Sequence, residues 1–183
     1  MMMTRAFRLA PFAAVALLAA CAASAPKPVP PSVVIPGSLD VPGKQALVRT
    51  LWADGVQIYE CRKAADASFP AWVFVSPEAT LKDAGGAVVG RHYAGPTWEA
   101  NDGSKVVGVV KAKADAPNPR AIPWLMLETH STGNPGLFSK ITAIQRVATV
   151  GGVAPETGCG TATIGKQERV PYTAQYAQYA PAS

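Results

Sequence analysis

The residues best suited to chemistry lie close together, between His92 and Ser104. An imidazole, two carboxylates and an indole occur in this short segment. His92 could exchange a proton with Glu99 or Asp102 in acid-base catalysis. An indole such as that of Trp98 can stack against a sugar ring. The candidate ligand-binding residues are His92, Tyr93, Trp98, Glu99, Asp102 and Trp124.

A metal site is the alternative interpretation of the same residues. His92 and His130 with Glu99 or Glu128 would make a set of two histidines and a carboxylate, which suits several transition metals. Glu128 and His130 are two residues apart and would share one face of a strand. The chain has no HxH, HExxH or CxxC spacing, so we expect neither a metal nor another cofactor.

The same residues also have plain structural roles. Trp98 would fill a core, and Asp102 with Gly103 would close a hairpin. No GxSxG motif marks a nucleophilic serine. The sequence therefore identifies no catalytic residue, and it favours a binding or structural role while leaving an enzymatic activity open.

The N-terminus has the pattern of an export signal. Arg5 and Arg8 precede the apolar run APFAAVALLAA, which is too short to span a bilayer as a helix. The run ends in Leu18-Ala19-Ala20-Cys21, which resembles the cleavage box of bacterial lipoproteins. We expect residues 1–20 to be a signal peptide and Cys21 to be lipidated, although an ordinary signal peptide would leave Cys21 a free thiol. The expected location is the cell envelope, at the outer membrane facing the periplasm.

Cys61 and Cys159 are the two remaining cysteines. An exported chain matures in an oxidising compartment, so we expect these two residues to form a disulfide. They are 98 residues apart, and closing a loop of that length stabilises a fold by up to roughly 4.7 kcal/mol in the chain-entropy model.

Composition limits the possible partners. The 183-residue chain has a net charge of +5 and only 16% charged residues. Lysines and arginines are not clustered with interleaved aromatics, so we expect no nucleic-acid partner. The expected partners are the membrane, through Cys21, and an envelope carbohydrate, envelope fragment or protein. Prolines make residues 21–40 an extended tether, and residues 41–183 would form one domain.

Strand patterns dominate that domain. Short apolar runs rich in Val, Ile, Trp and Tyr alternate with Gly, Pro, Asn and Asp, which is typical of strands and turns. We predict an all-β fold, an antiparallel β-sandwich or barrel-like single domain with about eight strands, one short helix at most and one disulfide. The predicted strands are 46–52, 56–62, 71–75, 87–93, 105–111, 124–129, 141–150 and 170–176.

Three local features complete the prediction. Ala53-Asp54-Gly55 has the Asp-Gly pattern of a tight turn. The one helix would be 76–83, with Ser76 as its cap and Pro77 at its first position. Arg146 lies in an apolar strand, where a buried arginine would need a carboxylate partner. Glu60 and Glu99 are the candidates for that partner.

Six motifs along the chain begin at Gly55, His92, Asp102, Pro123, Ile144 and Tyr172. In this order they resemble those of an uncharacterised secreted family catalogued as domain of unknown function 3455. The resemblance covers about residue 40 to the C-terminus and implies no activity, ligand or catalytic residue. Some fungal members carry a malate dehydrogenase label, which this chain does not support because it lacks a GxGxxG between a strand and a helix.

Overall fold

A computed structural model describes residues 33–182, and strands dominate this part of the chain. Residues 1–32, with the expected signal peptide and Cys21, lie outside it. The described helices are the 3-10 turns Gly37–Leu39 and Thr161–Thr163, and neither could cross a bilayer. The strands are β1 (Gln45–Arg62), β2 (Ala71–Lys82), β3 (Val88–Tyr93), β4 (Thr97–Ala100), β5 (Lys105–Ala114), β6 (Trp124–Ser131), β7 (Ala143–Gly151) and β8 (Gln167–Pro181).

The eight strands form a closed antiparallel barrel in chain order. Each strand pairs with the next, and β1 pairs with β8 to close the wall. This arrangement confirms the predicted all-β fold, and it is a barrel rather than a sandwich. Closure gives the first and last strands partners on both sides, which removes two edges that an open sheet would expose.

Alternate side chains of each strand point into the barrel, as the pleat of a strand requires. Leu51, Trp98, Ile144 and Tyr176 are almost completely buried there and come from four different strands. Phe138, from the loop between β6 and β7, is fully buried in the same core. Side chains from strands around the whole barrel therefore pack together in one core.

The predicted turn at Ala53-Asp54-Gly55 is wrong. These residues lie inside β1, which continues through them and pairs there with both β2 and β8. Gly55 is needed for close packing rather than for a turn. A Cβ on Gly55 would lie 2.1 Å from the carbonyl oxygen of Glu78 on β2. The predicted strands 46–52 and 56–62 are therefore parts of one long strand, β1.

The predicted helix 76–83 is also wrong, because these residues continue β2 up to Lys82. Pro77 cannot donate a ladder hydrogen bond, which normally limits proline to the edge of a sheet. β2 pairs with β3 only from Ala79 onward, so Pro77 lies on an edge of β2 that no described strand covers. β4 was not predicted as a strand. Because two predicted strands merge into β1 and β4 is added, the total is still eight.

The disulfide between Cys61 and Cys159 is confirmed, with 5.3 Å between the two Cα atoms. It fastens the connection between β7 and β8 to the end of β1. Trp72 supports the same connection, because its indole Nε1 donates a hydrogen bond to the carbonyl oxygen of Thr157 at 2.8 Å. This end of the barrel is therefore held by a covalent bond and by a hydrogen bond.

Residues 33–41, named here the N-terminal strap, pack on the outer face of the barrel. Leu39 is fully buried against Trp124, Met126 and Val147. Gln145 donates a hydrogen bond to the carbonyl oxygen of Leu39 at 2.7 Å. Most of these residues belong to the expected tether 21–40, but in the structure they pack against β6 and β7.

Candidate functional site

A cavity of about 280 Å³ opens where the barrel wall is incomplete. β3 and β4 are short, and β4 pairs with β5 only at residues 105–107. Beyond these ladders, β2 and β5 face each other across a gap that no described strand fills. The lining residues are Phe74, Val75, Pro77, His92, Gly95, Pro96, Trp98, Val110, Leu125, Leu127, Arg146 and Tyr176.

The mouth of the cavity is apolar and exposed. Phe74, Val75 and Val110 come from the two facing strands and are 48%, 39% and 49% exposed. Pro96, which is partly exposed, and Pro77, which is buried, also line the cavity. Adjacent exposed apolar side chains around a concavity are typical of binding sites in soluble proteins. The mouth is therefore a surface on which an apolar molecule would be shielded from water.

A cluster of three aromatic rings forms the inner wall. The imidazole of His92 stacks on the indole of Trp98 with 4.3 Å between ring centroids and 19° between planes. Tyr176 packs edge-on against both rings, at 5.0 Å from His92 and 5.4 Å from Trp98. All three residues are buried. Rings packed in this way hold the inner surface of the cavity in a fixed shape.

His92 is neutral in this environment. Its Nδ1 lies 2.8 Å from the carbonyl oxygen of Thr97, which can only accept, so Nδ1 carries the proton. Burial lowers the pKa of His92 to about 3, against the partly opposing effect of the Thr97 hydrogen bond. The charge of Arg146 lowers this pKa further. His92 therefore contributes no positive charge at neutral pH.

Arg146 is the charged residue of the cavity. Arg146 is in β7, where it is opposite Leu125 on β6 and Tyr176 on β8. Residues opposite each other in a sheet share a face, and this face is the inner one. Its Nε and Nη2 both donate to the carbonyl oxygen of Pro123, at 3.1 and 2.8 Å. The guanidinium therefore holds the segment before β6 and also faces the cavity.

No carboxylate of residues 33–182 forms an ion pair with Arg146. Glu60 and Glu99, the partners expected from the sequence, instead pair with Arg62 at 2.8 Å and with Arg91 at 3.1 Å. That expectation is wrong, because both carboxylates lie on the outside of the barrel wall. Among the described residues, the cavity therefore has a cation that is paired with no carboxylate.

A family model of known proteins matches this chain. It is described as a protein of unknown function (DUF3455) and covers residues 42–180. The chain belongs to the DUF3455 family. This membership confirms the resemblance found in the sequence motifs. No curated protein and no solved structure matches the chain. The function of this DUF3455 protein therefore has to be inferred from its own cavity.

The candidate ligand-binding residues of this DUF3455 protein separate into different sites. His92 and Trp98 line the cavity, whereas Tyr93 and Glu99 alternate with them and face outward. Tyr93 donates a hydrogen bond to Glu99, and Arg91 and Lys105 lie 3.1 and 3.7 Å from the same carboxylate. The Tyr93 hydrogen bond, followed by Arg91 and Lys105, lowers the pKa of Glu99. This pair thus belongs to a surface ion cluster.

Asp102 and Trp124 lie outside the cavity as well. Asp102 accepts hydrogen bonds from the backbone and hydroxyl of Ser104 and from the backbone N–H of Leu137 at 2.7 Å. These bonds lower the pKa of Asp102 and close the turn between β4 and β5. Trp124 is covered by the N-terminal strap. Both side chains are thus positioned for structural contacts in this DUF3455 barrel.

The residues of the alternative metal site do not meet. His92 points into the DUF3455 barrel, whereas Glu128 and His130 are exposed on its outer face. Glu128 pairs with Lys111 at 2.9 Å. Within residues 33–182, no three side chains of the types His, Cys, Asp and Glu converge as a metal site would require.

Sequence reasoning missed the apolar residues of the DUF3455 cavity. Val73, Phe74 and Val75 are consecutive and apolar, which indicated a buried strand rather than the rim of a cavity. Pro77 carried the useful signal, since a proline next to a strand places that strand at an edge. Arg146 was noticed as unusual, but its contact with the cavity depends on the register of β6, β7 and β8.

Proposed function

We propose that this DUF3455 protein is a binding protein of the cell envelope that holds a small, mainly apolar molecule in its barrel cavity. One observation carries the proposal. Three large apolar side chains are exposed at the mouth of a cavity whose inner wall is made of buried aromatic rings. A ligand that covered this mouth would remove apolar surface from water, which is worth about 0.8 kcal/mol for each buried CH₂ group.

The size of the cavity favours a small ligand. Its volume of about 280 Å³ is close to the lower limit of the range found for small-molecule sites. The wall is also fixed in shape, because His92, Trp98 and Tyr176 pack against one another. Such a preformed site loses little conformational entropy when a ligand binds.

The other candidate functions have less support. A sugar site needs an aromatic ring exposed beside several polar groups. Trp98 is 1% exposed, and the exposed ring of Phe74 has mainly apolar neighbours in the cavity wall. A metal-assisted enzyme would need His92 and His130 together, but they lie on opposite faces of the wall. A purely structural protein would have no use for exposed apolar side chains around an open cavity.

Binding of an uncharged apolar probe tests the proposal. We expect the full chain carrying Cys21→Ser to bind N-phenylnaphthylamine saturably, with one site per chain and increased probe fluorescence. Val110 lines the cavity, whereas its neighbour Val109 is similarly exposed, at 54% against 49%, and does not line it. Val110→Trp should weaken binding by about tenfold or more by filling the mouth. Val109→Trp, the matched control, should bind like the parent.

Two results would contradict the proposed function. The first is fluorescence that rises linearly with probe and shows no saturation in the parent. The second is equal loss, or equal retention, of affinity in the Val110→Trp and Val109→Trp variants, because the site would then lie elsewhere.

Attachment to the membrane is a separate part of the proposal. The sequence Leu18-Ala19-Ala20-Cys21 supports cleavage before Cys21 and lipidation of its sulfur. Residues 22–32 would then link the lipid to the N-terminal strap. Two acyl signals hold a soluble domain stably at a bilayer. The cavity would in this way be kept at the envelope membrane.

Changing Cys21 tests the anchor. In cells that process lipoproteins, we expect the parent chain in the membrane fraction and the Cys21→Ser chain in the soluble periplasmic fraction. Cys61 and Cys159 are unchanged in this variant, so the barrel should remain folded. A Cys21→Ser chain that still needs detergent for extraction would disprove lipid anchoring at Cys21.

A further inference from the structure

We propose that the ligand is a monocarboxylic acid with an apolar body, and that Arg146 binds its carboxylate inside the barrel. This inference rests on the proposed binding function, since it specifies the chemistry of the ligand in the same cavity. Carboxylate binding requires a cation without a counter-charge at the inner end of an apolar site. It also requires N–H donors of that cation that remain available to an anion.

The charge around Arg146 meets the first requirement. His92 is neutral, and burial raises the pKa of the hydroxyls of Tyr59, Tyr172 and Tyr176, so these groups are also neutral. No described carboxylate forms an ion pair with the guanidinium. Arg146 is partly buried, and even partial removal of a charge from water is unfavourable without a counter-charge. An anionic ligand would supply that counter-charge.

The donors of Arg146 meet the second requirement. A guanidinium has five N–H groups, and Arg146 directs Nε and Nη2 toward one acceptor, the carbonyl oxygen of Pro123. The guanidinium also contacts the Tyr176 hydroxyl, which lowers the pKa of Tyr176 against the larger effect of burial, and it has more N–H groups than these neighbours occupy. Paired N–H groups bind both oxygens of a carboxylate. Tyr176 is opposite Arg146 on β8 and offers a hydroxyl on the same inner face.

The single cation indicates the charge of the ligand. One guanidinium matches one carboxylate, whereas a phosphate dianion would keep an uncompensated charge in apolar surroundings. The remaining wall, with Trp98, Leu125 and Leu127, suits a hydrocarbon. A volume of about 280 Å³ equals that of roughly nine water molecules, so the cavity encloses a body of about eight carbon atoms, and its open mouth lets a larger probe protrude.

Octanoate and octanol form a matched pair of probes, since they share a chain length and differ in charge. We expect octanoate to displace N-phenylnaphthylamine from the Cys21→Ser chain, at neutral pH, at a concentration at least about tenfold lower than octanol does. Octylamine, which carries the opposite charge, should be the weakest of the three.

Variants of Arg146 assign the preference to its charge. Arg146→Met should bring octanoate and octanol to similar affinities, while Arg146→Lys should keep part of the preference. Arg169→Met is the control for net charge, because Arg169 is exposed and pairs with Glu78 outside the cavity. It should retain the full preference. The Lys variant and the amine probe keep the test decisive if the Met variant does not fold.

The outcomes distinguish the two proposals. If the neutral probe and octanol bind saturably but octanoate has no advantage, the carboxylate inference is wrong and the apolar binding function stands. A preference for octanoate that persists in Arg146→Met also refutes it. If neither the neutral probe nor either octyl compound binds saturably, the binding function itself is wrong, and the inference fails with it.

Discussion

Replacing Gly55 with alanine should destabilise the barrel by about 3 kcal/mol, the upper part of the range for overpacking. The added Cβ would lie 2.1 Å from the carbonyl oxygen of Glu78 and 2.5 Å from the Cα of Ala79. These are backbone atoms of β2, so β1 and β2 would have to separate. In an ordinary strand the same change would instead stabilise by about 0.5–1 kcal/mol. Urea unfolding of the parent and variant measures the sign directly.

Gly160→Ala is the matched control for Gly55→Ala. A Cβ on Gly160 would have no atom within 4 Å, and its φ of −154° suits any residue. We expect its free energy of unfolding to stay within about 0.5 kcal/mol of the parent, as for most surface substitutions. If Gly55→Ala were as stable as Gly160→Ala, β1 and β2 could not approach each other as closely as described.

Acidification should destabilise the protein through His92. Its pKa is lowered to about 3 in the folded barrel by burial, whereas an unfolded chain would protonate this ring near the ordinary value of about 6.5. Stabilisation from the neutral ring is therefore complete above about pH 6.5 and declines at lower pH. Below pH 6.5 the free energy of unfolding falls by about 1.4 kcal/mol per pH unit, so about 3 kcal/mol is lost by pH 4.

His92→Phe isolates this effect. The phenylalanine ring can still stack on Trp98 but binds no proton, so the loss of stability between pH 7 and pH 4 should be smaller by about 3 kcal/mol. Urea unfolding at several pH values gives both slopes. His130→Gln, a change on the exposed outer face, should keep the slope of the parent. Equal slopes for the parent and His92→Phe would show that His92 is hydrated in the folded protein.

The sequence was sufficient for the fold class but not for the position of every turn. Alternating apolar residues predicted strands, which depend on local composition. The expected export predicted the disulfide, which depends on the compartment. Asp54-Gly55 was misinterpreted because Asp-Gly pairs favour turns. The structure uses the glycine for contact between strands, which depends on Glu78 and Ala79 far away in the sequence. Residues 76–83 were misinterpreted because Pro77 suits both a helix start and an uncovered strand edge.

The candidate site was predictable only in part. His92 and Trp98 were selected for their chemistry, and the register of β3 and β4 brings their rings together inside the barrel. Tyr93 and Glu99 were selected with them, but strand alternation turns both outward. Arg146 was recognised as an anomaly. That it faces the cavity without an acidic partner follows from pairings across β6, β7 and β8, which no local pattern encodes.

The pairing of β1 with β8 sets the order in which this protein can be assembled. Gln45 pairs with Pro181, so the wall closes only after residue 181 has been synthesised. Contacts between such distant residues require a large loss of chain entropy before they form, and all-β folds of this kind fold in milliseconds to seconds. Tyr176 of the cavity wall is itself in β8. A nascent chain, or one truncated before β8, therefore has no complete cavity, and the wall of the cavity is finished only when β8 pairs with β1 and β7.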